Sequence, residues 1–178
     1  MKKKIFLNNK KIIISSFFNH QNLVDLLFND FFIKKIISCA ELIKKTLDKK
    51  KTIFWCGNGG SAADSQHLSA EMIGRYKLKR KSLKSIALTT DTSTITAISN
   101  DYNYSKLFSR QLDGLGSIDD LIITISTSGN SKNIIEVLKF AKKRKIKSIA
   151  LLGNDGGLSK KYSNIPIIVP SSDTARIQ

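Results

Sequence analysis

The sequence predicts an α/β fold: a five-stranded parallel sheet sandwiched by helices, with helices ahead of it at the N-terminus. Three observations predict it. From Thr52 onward, short β-branched or aromatic runs alternate with helical periodicity across short loops, and such alternation covers parallel strands on both faces. The run Asp120-Leu121-Ile122-Ile123-Thr124-Ile125 is nearly all apolar, as a central strand of such a sheet must be. The run Thr52-Ile53-Phe54-Trp55-Cys56 stops at three glycines, Gly57, Gly59 and Gly60. A strand, a glycine turn and a helix start together make an anion cradle, because the backbone can approach a ligand and the first N–H groups point at it.

The elements follow in order. Leu23, Leu26, Leu27 and then Ile33, Ile36, Ile37, Ala40, Leu42, Ile43 and Leu47 recur at helical spacing; the stripe is wide enough to pack on the main body or another subunit. A helix is expected from Ser61 to about Tyr76, with Ser61 and Asp64 as a capping box. A second strand covers 85–89, short helices cover 92–99 and about 103–112, and Gly114-Leu115-Gly116 reads as a turn. After the central strand comes the loop 126–131, then a helix from Lys132 to about Arg144 with Ile134, Ile135, Val137, Leu138 and Ala141 on one side. The fourth strand is 147–152 and the fifth 165–169, which Pro166 demotes to an edge. Asp173 caps a last helix starting near Thr174.

With 178 residues, 41% of them hydrophobic, the chain can bury one core. A tail is expected over 1–18, poorly ordered through residue 15, and a single domain over 19–178. The apolar run at 12–18 is too short to span a bilayer, and no small-residue cleavage site follows it. Cys39 and Cys56 sit in apolar segments and read as reduced thiols in a cytosolic setting. The net charge of +16 invites a nucleic-acid reading. Its basic runs, however, fall at helix ends and loops, so a solvated surface that draws in an anionic metabolite fits better.

Two loops and one helix carry the chemistry. Ser126, Thr127, Ser128, Asn130 and Ser131 surround Gly129 at a strand exit; they suit a phosphate, or form an ordinary turn with Ser131 as N-cap. No lysine follows at nucleotide P-loop spacing, and the 57–61 turn is not Gly-x-Gly-x-x-Gly, which disfavours dinucleotides. Asn58 could hold a substrate hydroxyl. His67 and Glu71, four apart, share a helix face. They could bind a divalent metal, act as general acid and base, or form a solvated pair.

Cys-Gly-Asn-Gly-Gly-Ser at 56–61, His67-x-x-x-Glu71-x-x-Gly74-Arg75-Tyr76, Ser99-Asn100-Asp101-Tyr102, Ile125-Ser-Thr-Ser-Gly-Asn-Ser131 and Thr174-Ala-Arg-Ile-Gln178 occur in that order. In these motifs the chain, from about residue 20 on, resembles the phosphoheptose isomerases of the sugar-isomerase (SIS) domain family. The resemblance implies isomerisation of D-sedoheptulose 7-phosphate to D-glycero-D-manno-heptose 7-phosphate for lipopolysaccharide core heptose, in a cytoplasmic, zinc-containing homotetramer. It implies phosphate contacts from Ser126, Thr127, Ser128 and Ser131, and sugar contacts from Asn58, Gly59, Gly60, Asn100 and Asp101. It implies metal ligation by His67, Glu71 and Gln178, the last two also meeting substrate, with Glu71 as catalytic base. In the family the last helix continues and carries a further histidine about two turns on, so the resemblance implies a truncated C-terminal helix here. A relative of the same fold is an adaptor for the replication initiator protein and shares the glycine turn and serine loop; His67 with Glu71 and Asn100-Asp101 favour the enzyme. Sugar-phosphate-sensing regulators carry a helix-turn-helix, for which the first 50 residues give no clear pattern.

Overall fold

The computed structural model describes residues 2–178. Two helices, α1 (Lys2–Leu27) and α2 (Asp30–Asp48), precede an alternation of β1 (Ile53–Gly57), α3 (Gly60–Ile73), β2 (Ser85–Ala87), α4 (Thr92–Asp101), a 3₁₀ turn (Tyr104–Lys106), α5 (Leu107–Leu115), β3 (Leu121–Ser126), α6 (Lys132–Lys143), β4 (Lys147–Gly153), a second 3₁₀ turn (Ser159–Lys161), β5 (Ile165–Val169) and α7 (Thr174–Ile177). The five strands form one sheet in the order β2-β1-β3-β4-β5, all neighbours parallel. This is the flavodoxin-like order, and its ligand crevice lies beyond the carboxyl ends where the order reverses, between β1 and β3.

Alternation along the strands sends side chains to two cores. Ile53, Trp55, Leu121, Ile123 and Ile149 face one side, under α2 and α3. Phe54, Cys56, Ile122, Ala150 and Leu152 face the other, under α5 and α6. β3 is central, as its apolar run requires, and β5 is the edge that Pro166 allows. Polar ties fix the start of the sheet. The buried Asp120 carboxylate accepts from Thr52 N at 2.8 Å and Ser117 N at 2.7 Å. Trp55 Nε1 donates to Ser85 Oγ at 2.8 Å, which donates to Ser69 Oγ at 3.0 Å, joining β1, β2 and α3.

Several local expectations are corrected. Residues 2–18, expected as a tail, lie within the continuous helix α1. The Ser61/Asp64 capping box does not form: α3 starts a residue earlier, its N-cap is Gly59 at φ 56°, and no side chain caps it. A positive φ favours glycine, so the backbone rather than a hydroxyl sets this helix start. α3 ends at Ile73 instead of Tyr76, because the Arg80 guanidinium takes the carbonyls of Glu71 at 2.8 Å and Met72 at 2.9 Å. β2 is shorter than expected. Gly114 lies inside α5, and the chain turns at Gly116, where an added Cβ would sit 2.7 Å from the Leu112 carbonyl oxygen.

Candidate active site

β1 and β3 are paired with Gly57 opposite Ile125, so the glycine turn and the serine loop leave the sheet side by side. The glycine turn is tightly closed. A Cβ on Gly57 would lie 2.5 Å from the Ser61 carbonyl oxygen, and Ser61 N donates to Asn58 O at 3.0 Å. A Cβ on Gly60 would lie 2.5 Å from Gln178 Nε2, which brings the last residue of α7's flank against the turn.

The serine loop is organised differently. Ser126 Oγ, at the buried end of β3, accepts from Gly129 N at 3.2 Å and lies 3.4 Å from Ser131 Oγ. Ser131 occupies the N-cap position of α6 without a side-chain cap bond, its hydroxyl turned to Ser126. Uncapped N–H groups at the start of a 12-residue helix, flanked by hydroxyls, favour an anion. The ordinary-turn alternative, with a Ser131 side-chain cap, is therefore not the one adopted. Gly129 at φ 63° and Gly157 at φ 51° let this loop pack against the 153–157 loop, with Asn130 Oδ1 accepting from Leu158 N at 3.0 Å.

A cavity of about 330 Å³ opens at the carboxyl ends of β3, β4 and β5. Its polar lining comes from Asp64, His67, Thr127 and Gln178, over an apolar floor that includes Ile125 and Leu151. Three residues singled out from the sequence, His67, Thr127 and Gln178, thus meet although 111 positions separate the first from the last (178 − 67). Glu71 sits one turn beyond His67 on α3 and is partly buried; its Oε2 has no hydrogen-bond partner among the described residues. A buried carboxylate oxygen left unpaired costs about 1–3 kcal/mol, and its lone pairs stay uncommitted. Asn100 and Asp101 are not brought to this cavity. Asn100 Nδ2 donates to Asp101 Oδ1 at 2.9 Å, and Asp101 lines a separate groove with Tyr102 and Arg110.

Zinc needs three or four strong donors. His67 and Glu71 supply two, while the Gln178 amide is directed at the glycine turn, its Nε2 3.5 Å from Ser61 Oγ. Among the described residues no three His, Cys, Asp or Glu side chains converge to hold a metal ion. The described residues alone do not complete a zinc centre. Burial pushes the Cys56 thiol well above its ordinary value and raises Cys39, so neither is a poised nucleophile.

The sequence reading missed the partners of Asn58. Asn58 and Asn133 exchange hydrogen bonds, Nδ2 to Oδ1 at 3.0 Å and 2.8 Å, and the Tyr104 hydroxyl donates to Asn58 Oδ1 at 3.0 Å. One signal was available: Asn133 precedes Val137 by four and so falls on the apolar face of α6.

The SIS domain family model matches residues 30–153, which span the first four strands of this parallel α/β domain, with the hydroxyl-rich loop at its switch point. The chain is 53% identical over 139 residues to a phosphoheptose isomerase of Helicobacter pylori strain P12, covering 78% of this chain and 72% of that one. It is 47% identical over 169 residues to a phosphoheptose isomerase of Aliarcobacter butzleri strain RM4018, covering 95% and 89%. The solved structure of a phosphoheptose isomerase from Francisella tularensis superposes with a TM-score of 0.90 at 32% identity, over 95% of this chain and 90% of that one. The chain belongs to the phosphoheptose isomerase family, whose members are sugar-phosphate isomerases.

Proposed function

We propose that this chain interconverts D-sedoheptulose 7-phosphate and D-glycero-D-manno-heptose 7-phosphate, supplying heptose for the lipopolysaccharide core. The observation that carries the reading is the meeting of His67, Thr127 and Gln178 around one cavity beyond the strand ends, with the serine loop at its side. The phosphate binds the hydroxyls of Ser126, Thr127, Ser128 and Ser131 and the start of α6; the glycine turn at Asn58, Gly59 and Gly60 meets the sugar. Glu71, with an uncommitted carboxylate oxygen, removes a proton from C1 of the ketose. The C2 carbonyl oxygen gains a proton to give the enediol. Loss of the O1 proton and delivery of a proton to C2 complete the aldose. His67, one turn away, exchanges protons with the oxygens. The resemblance implies zinc, but the described donor set, His67 and Glu71 with the Gln178 amide turned to the glycine turn, does not complete its site.

The reading extends to a homotetramer in the cytoplasm. Phe17, Phe18, Phe28 and Phe31 are exposed, together with Ile12, Ile13, Ile36 and Ile37, on or between α1 and α2. Large aliphatic and aromatic surface of this kind is buried by self-association. The free thiols of Cys39 and Cys56 suit a reducing compartment, and no described helix is long and apolar enough to cross a membrane. The test is an assay of sedoheptulose 7-phosphate turnover with Glu71→Gln as comparison. Full activity in Glu71→Gln would remove Glu71 from the reaction; no turnover by the unmodified chain would remove the reaction itself.

A further inference from the structure

We propose that Asn133 and Tyr104 are positioning residues that act on the site through Asn58. The proposal rests on the function given above. Asn133 is 2% exposed on the core face of α6, followed by Ile134, Ile135 and Val137. A buried amide is costly unless it is paired, and both hydrogen bonds that the Asn133 side chain makes go to Asn58. Packing alone would be served as well by leucine at this position. The amide is instead matched to one partner, 75 residues away at the exit of β1.

The pairing has a chemical consequence. A carbonyl oxygen has two lone pairs and an amide nitrogen two hydrogens. Asn133 Nδ2 at 2.8 Å and the Tyr104 hydroxyl at 3.0 Å fill both lone pairs of Asn58 Oδ1. One Asn58 N–H is spent on Asn133 Oδ1 at 3.0 Å. A single N–H remains, so Asn58 meets a ligand as a donor only, to an oxygen of the sugar. It cannot accept from a hydroxyl while the bridge holds.

The bridge also sets a spacing. Asn58 belongs to the glycine turn and Asn133 follows Ser131 of the serine loop by two residues. Tyr104 opens the 3₁₀ turn after α4, and the next residue but one, Lys106, forms a 2.8 Å ion pair with Glu136 on α6. Three hydrogen bonds and one ion pair therefore join the sugar side, the phosphate side and the 3₁₀ turn. A sugar phosphate held at both ends is oriented by this distance, and orientation of the reacting carbon is a large part of such catalysis.

The experiment is a double-mutant cycle on kcat/KM. Asn133→Leu removes the pairing with an apolar residue suited to the site, and Tyr104→Phe removes only the hydroxyl. Asn133→Leu is expected to lower kcat/KM about 10- to 100-fold, because it removes both bonds of the part-buried amide pair, and Tyr104→Phe, whose bond to Asn58 is exposed, about 3- to 10-fold. In an Asn58→Ala background neither should lower it further, because their only route to the site is gone. Losses of the same size in both backgrounds would overturn the proposal and leave a fold-supporting role. Hydrogen exchange of the backbone amides supplies an independent arm: Asn133→Leu should speed exchange in 57–61 and 126–131 together while the sheet stays protected. Unchanged exchange in both segments would equally overturn the bridge. Absence of turnover in the unmodified chain would defeat the proposed function, and the exchange arm would then decide the bridge by itself.

Discussion

The glycine turn and the serine loop leave neighbouring parallel strands and enter helices, yet they meet opposite demands. The turn is closed from within: Gly57 has no room for a side chain, Ser61 N is bonded to Asn58 O, and the Asn58 amide is held by Asn133 and Tyr104. The loop is left open at its end: Ser131 does not cap α6, and Ser128 is exposed. The turn fixes geometry and launches the helix that carries His67 and Glu71. The loop offers hydroxyls and helix N–H groups to an anion. On the proposed function, chemistry and anchoring divide between two structurally parallel connections, and mutations should divide in the same way.

The strongest way to break that division is Glu71→Gln. It should reduce kcat by at least about 10²-fold, the minimum typical of a lost general base, with little change in KM. A defect confined to KM would move Glu71 to the anchoring side. Next is Gly57→Ala, whose Cβ would meet Ser61 backbone and force α3 to shift. Overpacking of this kind costs about 1–3 kcal/mol, visible as a lower urea midpoint with unchanged m-value. Ser128→Ala and Ser126→Ala should each raise KM about 10- to 100-fold, since a hydrogen bond to a charged phosphate is worth about 1.5–3 kcal/mol. Ser126→Ala should also loosen the loop, because its hydroxyl accepts from Gly129 N. A fall in kcat at constant KM would dissolve the distinction between the two connections.

The smallest expected effect concerns the support behind the bridge. Lys106 and Lys139, both hydrogen-bonded to Glu136, hold its carboxyl below the ordinary glutamate value. A depressed carboxylate stabilises the fold fully above the unfolded pKa of about 4.3 and loses that contribution as pH falls through the folded value. Glu136→Gln should therefore cost about 0.2–1 kcal/mol at pH 7. The gap between variant and unmodified chain in urea titrations should close on acidification below that window. A gap that widened toward acid would contradict the sign.

Much of the site was legible because its signals are local. Three glycines after a buried run, and hydroxyls around Gly129 after the most apolar run, mark strand exits without any knowledge of what lies across the sheet. His67 and Glu71 follow from helical spacing alone. The capping box at Ser61 failed for a local reason of another kind: Gly59 at positive φ starts the helix one residue early, which no side-chain pattern reveals. The end of α3 depended on Arg80 folding back to its carbonyls, beyond the range of propensity.

By itself the sequence determined the order of elements, the central and edge strands, the two loops and the family, because periodicity, glycine placement and motif spacing act over a few residues. Only the tertiary structure decided which of these meet. The β1–β3 register set the glycine turn beside the serine loop, α7 brought Gln178 to Gly60, and the rotation of α6 turned Asn133 onto Asn58. The same packing kept Asp101 in another groove. Contacts across many tens of residues depend on register and helix rotation, and those are fixed by the burial of both cores at once rather than by any one stretch of chain.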